Sequence, residues 1–318
     1  MPPFTPQALD AHSRKLIEQT NALAAAVPAD QLSIGKRRAL MREANALLMP
    51  PEGPLASIRK EDLQIAVAGR TLPARVFRPA PDAPTTAAGD VLLVFFHGGG
   101  WVVGDLDTHD NACAFLAQRL GCTLLSVEYR KAPEHPFPAP CDDAQAAYAW
   151  AWAHRADWGC TRIAAAGDSA GGHLAAHAVH ANAQVPTAAA LLLYPVADMD
   201  FANPSYAERG SGPGLTSAAM RWFWEQFLTG YPAAPDARAV LMQQTWRRKP
   251  PPTVVTVAWH DPLHDEGAAY AALLQRAGAN VELQVAADMA HGFLRQCRIN
   301  DAARGHVERA ADAFLARF

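Results

Sequence analysis

The chain has little charge, no long apolar run and few cysteines, and each shortage excludes a class of protein. Only 19% of its 318 residues are charged, and 28 Lys and Arg against 31 Asp and Glu leave a formal charge of −3. A binder of phosphate backbones needs a basic face, so no nucleic acid is expected as partner. No apolar run reaches the roughly 18 residues that cross a bilayer, so no membrane span is expected. The segment from Met1 to Asn21 lacks the apolar stretch of a secretory signal. The five cysteines (Cys113, Cys122, Cys141, Cys160 and Cys297) are odd in number and lack CxxC spacing. That argues against a disulfide framework and a zinc ribbon. The expectation is a cytoplasmic protein with free thiols.

What is present is apolar sequence broken often by turns. Half of the residues are hydrophobic, enough for a sizeable core, and 21 Gly and 25 Pro punctuate them. Residues 1–49 read as helical: Leu16, Ile17, Leu23 and Val27 recur at helical spacing, and a second segment runs from Ser33 to Leu48. The Pro- and Gly-rich stretch 49–54 marks a boundary. Leu63, Ile65 and Val67 alternate, as do Leu72, Ala74 and Val76, around Gly69-Arg70, which signals a hairpin.

Short apolar runs then alternate with helical segments. The runs Val91–Phe96, Thr123–Val127, Arg162–Ala166, Ala188–Leu193, Val254–Ala258 and Val281–Val285 are the expected strands. Asn111–Leu120, Asp142–His154, Ala170–Ala181, Glu266–Ala277 and Ala302–Ala316 are the expected helices. Wholly apolar strands alternating with helices imply an α/β fold whose mainly parallel sheet is covered on both faces. Residues 199–250 interrupt the rhythm with a Gly/Pro loop and the helical run Thr216–Leu228, as an insertion above the sheet would.

The strongest chemical signal is Gly167-Asp168-Ser169-Ala170-Gly171-Gly172, between an expected strand and an expected helix. A Gly-x-Ser-x-Gly turn there forces the serine into a sharp, exposed conformation. The helix behind it supplies N–H groups to a developing oxyanion. The second signal is His97-Gly98-Gly99-Gly100-Trp101, after Val91–Phe96. Three glycines in succession cost conformational entropy, which is explained if backbone must approach a ligand. An HGGG-type loop builds the oxyanion hole of lipases and esterases, so Gly98, Gly99 and Ala170 are the expected donors. Any two of Gly98, Gly99 and Gly100 can point inward on this pattern. Neither phosphate-loop pattern, GxGxxG nor GxxxxGK[ST], is present.

A serine hydroxyl needs a base, and the base needs an orienting acid, both on loops at the carboxyl ends of strands. Asp261 directly follows an expected strand and is assigned as the acid. Asp265 sits where a helix N-cap belongs. His291 follows Val281–Val285 on a strand-terminal loop and is assigned as the base, giving the order Ser, Asp, His of α/β-hydrolases.

These motifs, with Tyr129 to Pro140, Asp261-Pro262-Leu263, Asp265-Glu266-Gly267 and His291-Gly292-Phe293, resemble the hormone-sensitive-lipase-like carboxylesterases of the α/β-hydrolase superfamily. The resemblance implies an eight-stranded, mostly parallel sheet flanked by helices, with a helical cap built from residues 1–49 and 199–232. The hydrolase core would then comprise residues 50–198 and 233–318. It also implies a serine esterase acting on short- to medium-chain acyl esters, without cofactor, and commonly a homodimer. Amidases, deacetylases and lactonases use the same triad, and a binding receptor on this fold usually lacks a triad member. Trp101, Asp168 and Trp222 are the candidate substrate-binding residues; the aromatic run from Trp222 to Phe227 either packs as core or walls an acyl pocket. Two departures stand out: His173 where the family has Asn, and His260 before the acid. His173, His177 and His180 have a spacing that can hold zinc, but no third ligand type is evident. A partly exposed helix face is the expected account, and no metal site is assigned.

Overall fold

Period-two burial sorts the apolar runs into one sheet. The computed structural model describes residues 5–28, 31–50, 55, 57–67 and 69–318. Within them are β1 (Arg59–Val67), β2 (Arg70–Arg78), β3 (Val91–Phe96), β4 (Thr123–Val127), β5 (Arg162–Asp168), β6 (Thr187–Leu193), β7 (Thr253–His260) and β8 (Val281–Ala290). Their order in the sheet is β1-β2-β4-β3-β5-β6-β7-β8. The hairpin β1–β2 is antiparallel, β2 is antiparallel to β4, and every pairing from β4 to β8 is parallel. Most of the predicted boundary 49–54 lies outside the described residues.

The helices are α1 (Ala11–Ala25), α2 (Ile34–Ala46), α3 (Asp110–Leu120), α4 (Ala139–His154), α5 (Ala170–Ala181), α6 (Pro204–Arg209), α7 (Ser217–Phe227), α8 (His264–Arg276) and α9 (Asp301–Leu315). Successive side chains of a strand point to opposite faces. Leu92, Val94 and Phe96 of β3 therefore join the core on the face covered by α4, α5 and α8, while Val91, Leu93 and Phe95 join the core on the face covered by α3 and α9. Each such side chain contributes about 1.5–3 kcal/mol when fully buried. The five cysteines are free and buried.

Local chemistry sets the element ends. Asp10, Ser33 and Thr216 accept N–H groups of the first turns of α1, α2 and α7, and left-handed Gly121 stops α3. Helix α4 starts three residues before the predicted point because Pro140, lacking an N–H, is tolerated in a first turn. Strands β5, β7 and β8 run past their predicted ends, bringing Asp168, His260 and Ala290 to the carboxyl edge.

Candidate active site

Ser169 is the single residue between β5 and α5, and it holds φ 55°, ψ −123°. Positive φ is uncommon for a residue with a side chain and costs energy. The neighbours fix it: the Ser169 N–H donates to the Leu193 carbonyl (2.9 Å), and its own carbonyl accepts from Val196 N–H (3.2 Å). Gly171 permits the sharp turn, since a Cβ there would strike the Phe96 carbonyl. The turn presents the Ser169 Oγ to His291 Nε2 at 2.8 Å.

His291 and Asp261 directly follow β8 and β7, neighbours in the sheet. Asp261 is wholly buried. Its Oδ2 lies 2.7 Å from His291 Nδ1, and its Oδ1 accepts the Leu263 N–H at 2.9 Å. A carboxylate facing Nδ1 selects the Nδ1–H tautomer and leaves Nε2 as acceptor for the serine hydroxyl. The Tyr194 ring meets the imidazole edge-on at 4.9 Å between centroids, and its hydroxyl accepts the Leu294 N–H at 3.1 Å.

Asp265 does not cap α8, which begins one residue earlier with Leu263 as its N-cap. Its carboxylate instead accepts the Ser205 N–H (2.9 Å) in the first turn of α6. The neighbouring Glu266 is buried and receives Ala197 N–H and Tyr206 O–H, each at 2.9 Å. Burial outweighs those bonds and pushes its pKa up to about 8.

The glycine loop corrects one expectation. Gly98 does not offer its N–H to the cavity, because that group donates to Asp168 Oδ1 at 2.8 Å. The Gly98 carbonyl is engaged too, 2.8 Å from His97 Nδ1. His97 is itself stacked on Tyr129 at 4.4 Å. Gly99 and Gly100 line the cavity at φ +118° and +58°, and their N–H groups have no acceptor among the described residues. The Ala170 N–H, at the first position of α5, has no partner within its helix. Gly99, Gly100 and Ala170 are thus the amides left available beside Ser169.

Asp168 reaches the cavity wall, yet its carboxylate is taken up by the protein. Besides Gly98 it faces the Tyr194 hydroxyl at 3.5 Å and His109 Nε2 at 3.4 Å. Burial would raise its pKa, but His109, the Gly98 amide and His97 together hold it below the usual value.

The cavity over Ser169 has a volume of about 280 Å³. Leu16 and Ile17 of α1, Met41 and Ala44 of α2, and Met220 and Phe223 of α7 form its apolar wall. Trp101, expected to bind substrate, has no exposed surface. It stacks on Phe227 at 4.1 Å and donates its Nε1–H to His173 Nδ1 at 3.2 Å. His173 Nε2 donates in turn to the Ala239 carbonyl at 3.0 Å, so the departure from Asn serves packing beneath the cavity. Trp222 is displaced from its expected place as well. It lies under the Arg37 guanidinium at 4.4 Å, and the next ring along the helix, Phe223, faces the cavity. Adjacent helical positions differ by about 100°, so only one can face inward.

The other histidines singled out in the sequence do not line the cavity. His173 and His177 are buried, not on an exposed face; only His180 of the three reaches the surface, with Nε2 on the Thr245 carbonyl at 3.1 Å. His260 Nε2 lies 2.9 Å from the Gln7 carbonyl and His264 Nδ1 2.9 Å from that of Ala258. The sequence reading missed Tyr194, His109 and Arg295 as site residues. Each becomes local only through the fold, although Arg295, four residues beyond His291, could have been found by its spacing.

A family model described as the alpha/beta hydrolase fold matches residues 93–295. The chain is 38% identical over 256 residues to the carboxylic ester hydrolase LipN of Mycobacterium tuberculosis, covering 76% of this chain and 66% of that protein. It is 34% identical over 288 residues to an ethyl acetate hydrolase of Pseudomonas putida, covering 88% of this chain and 89% of that one. A solved thermostable esterase from Pseudomonas putida superposes with a TM-score of 0.86 at 30% identity, covering 99% of each chain.

Proposed function

The chain belongs to the alpha/beta hydrolase family, as a carboxylic ester hydrolase of its hormone-sensitive-lipase-like branch, and we propose that it cleaves short- to medium-chain acyl esters through an acyl-enzyme. The observation that carries this reading is the relay Ser169 Oγ, His291, Asp261, with successive separations of 2.8 and 2.7 Å.

In this mechanism His291 Nε2 takes the Ser169 proton as Oγ attacks the ester carbonyl. The buried Asp261 carboxylate holds the imidazole tautomer and stabilises the imidazolium that forms. The tetrahedral oxyanion rests on the N–H groups of Gly99, Gly100 and Ala170, which are already oriented before reaction. Collapse expels the alcohol, which leaves with the proton from His291, and Ser169 remains acylated. Water then loses a proton to His291 and attacks the acyl carbonyl; the carboxylic acid departs and Oγ recovers its proton. The alcohol and the acid account for every atom of the ester and the water.

We assign residues 1–49 and 199–232 to a cap. Its α1, α2 and α7 side chains roof the cavity, which suits acyl chains from acetyl to octanoyl. The test is hydrolysis of p-nitrophenyl butyrate and labelling by a fluorophosphonate. Ser169→Ala should abolish labelling and lower kcat by several orders of magnitude, about 10⁴-fold or more. A variant that keeps most of its activity would remove Ser169 from the mechanism. Equal turnover of butyrate and palmitate esters would contradict the chain-length preference alone.

A further inference from the structure

Arg295 places a guanidinium on the wall of an otherwise largely apolar cavity, in the short 3-10 turn Phe293–Gln296 that follows His291. Two of its nitrogens are engaged, both with neutral acceptors. Nε donates to the Thr108 carbonyl and Nη2 to Asn45 Oδ1 of α2, each at 3.2 Å. Nη1 has no hydrogen-bond partner, and no carboxylate lies within ion-pair distance, among the described residues. Asp168 and Asp105 act on it only from further away, and burial pulls its pKa below the ordinary arginine value.

Several other arginines are ion-paired. Arg70 and Arg130 both reach Asp143, Arg75 reaches Asp62, and Arg162 reaches Asp90. A partly desolvated cation with no carboxylate at ion-pair distance is costly to fold around. Bridging Asn45 to Thr108 does not account for it, because two neutral acceptors need donors and no charge. His109, beside Thr108, adds to the same wall: it is buried, lines the cavity, and its Nε2 has no aligned hydrogen-bond partner.

We propose that the cavity takes esters bearing a free carboxylate, and that Arg295 recognises that carboxylate through its unpaired Nη1. This rests on the reading of Ser169 as the nucleophile and adds the substrate class. A planar guanidinium matches a carboxylate in geometry, and the pair gains strength where water is excluded. The cation would be paired only when substrate is bound, so Arg295 confers specificity and takes no part in bond making.

The experiment compares kcat/KM for monomethyl glutarate against methyl pentanoate, and for 4-acetoxybutanoate against butyl acetate, placing the charge on the acyl or the alcohol side. The wild-type enzyme should turn over at least one acid ester at least as well as its neutral counterpart. Arg295→Gln should lower that acid-to-neutral ratio by about tenfold or more, and Arg295→Lys should restore part of it. If the variants do not fold, competition against p-nitrophenyl butyrate by monomethyl glutarate and by methyl pentanoate serves on the wild type, with monomethyl glutarate expected to bind more tightly. The inference is overturned by neutral preference on both sides, by a smaller fall in the ratio, or by tighter binding of methyl pentanoate. Robust neutral-ester turnover with any of those results leaves the nucleophile assignment standing. Absence of all turnover and of fluorophosphonate labelling removes both.

Discussion

The Gly98 N–H donates to the Asp168 carboxylate across 2.8 Å, tying the loop after β3 to the residue that precedes the nucleophile. The two strands are neighbours, and Phe96 pairs with Gly167. The side chain of Asp168 thus continues a ladder that the backbone has left, and it settles which amides of the glycine loop face the cavity. Asp168→Ala should cost roughly 1–3 kcal/mol of stability, because a buried donor loses its acceptor. It should also lower kcat by about 10²-fold with little change in KM, the pattern of a lost oxyanion donor. Asp168→Asn keeps an acceptor oxygen and should retain more activity. A raised KM at unchanged kcat in p-nitrophenyl butyrate kinetics would instead make Asp168 a direct substrate contact.

Two nearby aspartates separate in the same way. Asp261 is fully buried and faces His291, while Asp265 holds the first turn of α6. Asp261→Asn should reduce kcat by about 10⁴-fold, since the amide no longer selects the reactive tautomer. Asp265→Asn should leave kcat close to wild type and lower the urea midpoint. The opposite ranking would exchange their roles.

The elements that carry the nucleophile, acid and base were legible because each is short-range. Val91–Phe96 and Thr123–Val127 are apolar runs bounded by turns, and the predicted limits match the strands. Ser169 announces itself by the glycines its turn requires, and Asp261 and His291 by their places after strands. Gly98 was misjudged because its fate depends on a carboxylate 70 residues away, which no local pattern reports. Trp101 and Trp222 were misplaced for a related reason: an aromatic beside a site motif is as suited to the core beneath a cavity as to its wall. The exposed face expected for His173 and His177 failed because α5 packs on both α4 and the 239–241 segment, leaving no wet side there.

The substitution of neighbouring rings on α7 tests where the cavity wall lies. Phe223 lines the cavity, and its ring is where a Cβ on Gly100 would fall. Trp222 lies outward under Arg37. Phe223→Ala should enlarge the cavity and shift the acyl-chain profile toward longer p-nitrophenyl esters. Trp222→Ala should leave that profile unchanged and reduce stability through the lost contact with Arg37, about 0.5–1 kcal/mol at such a site. A shifted profile in Trp222→Ala and none in Phe223→Ala would place the wall on the other ring.

Acid sensitivity should trace to His177. Both of its ring nitrogens lack a hydrogen-bond partner among the described residues, and burial, reinforced by His173 and His180, brings its pKa down to about 3. In the unfolded chain the imidazole returns to the ordinary value of about 6.5. Between those two values the unfolded state holds a proton that the folded state refuses, so stability falls as the pH drops from about 6.5 toward about 3. The slope is about 1.4 kcal/mol per pH unit for one such group. His173, brought by burial to about 4, adds a second contribution over a narrower window. Above about 6.5 both imidazoles are neutral in either state and the dependence vanishes. His177→Leu removes the larger contribution and an unpartnered polar ring, so its stability at pH 5 should exceed wild type by about 2 kcal/mol more than at pH 8. Urea denaturation at the two pH values measures this directly. An equal difference at both would mean that His177 is protonated to the same extent in the folded and unfolded chain.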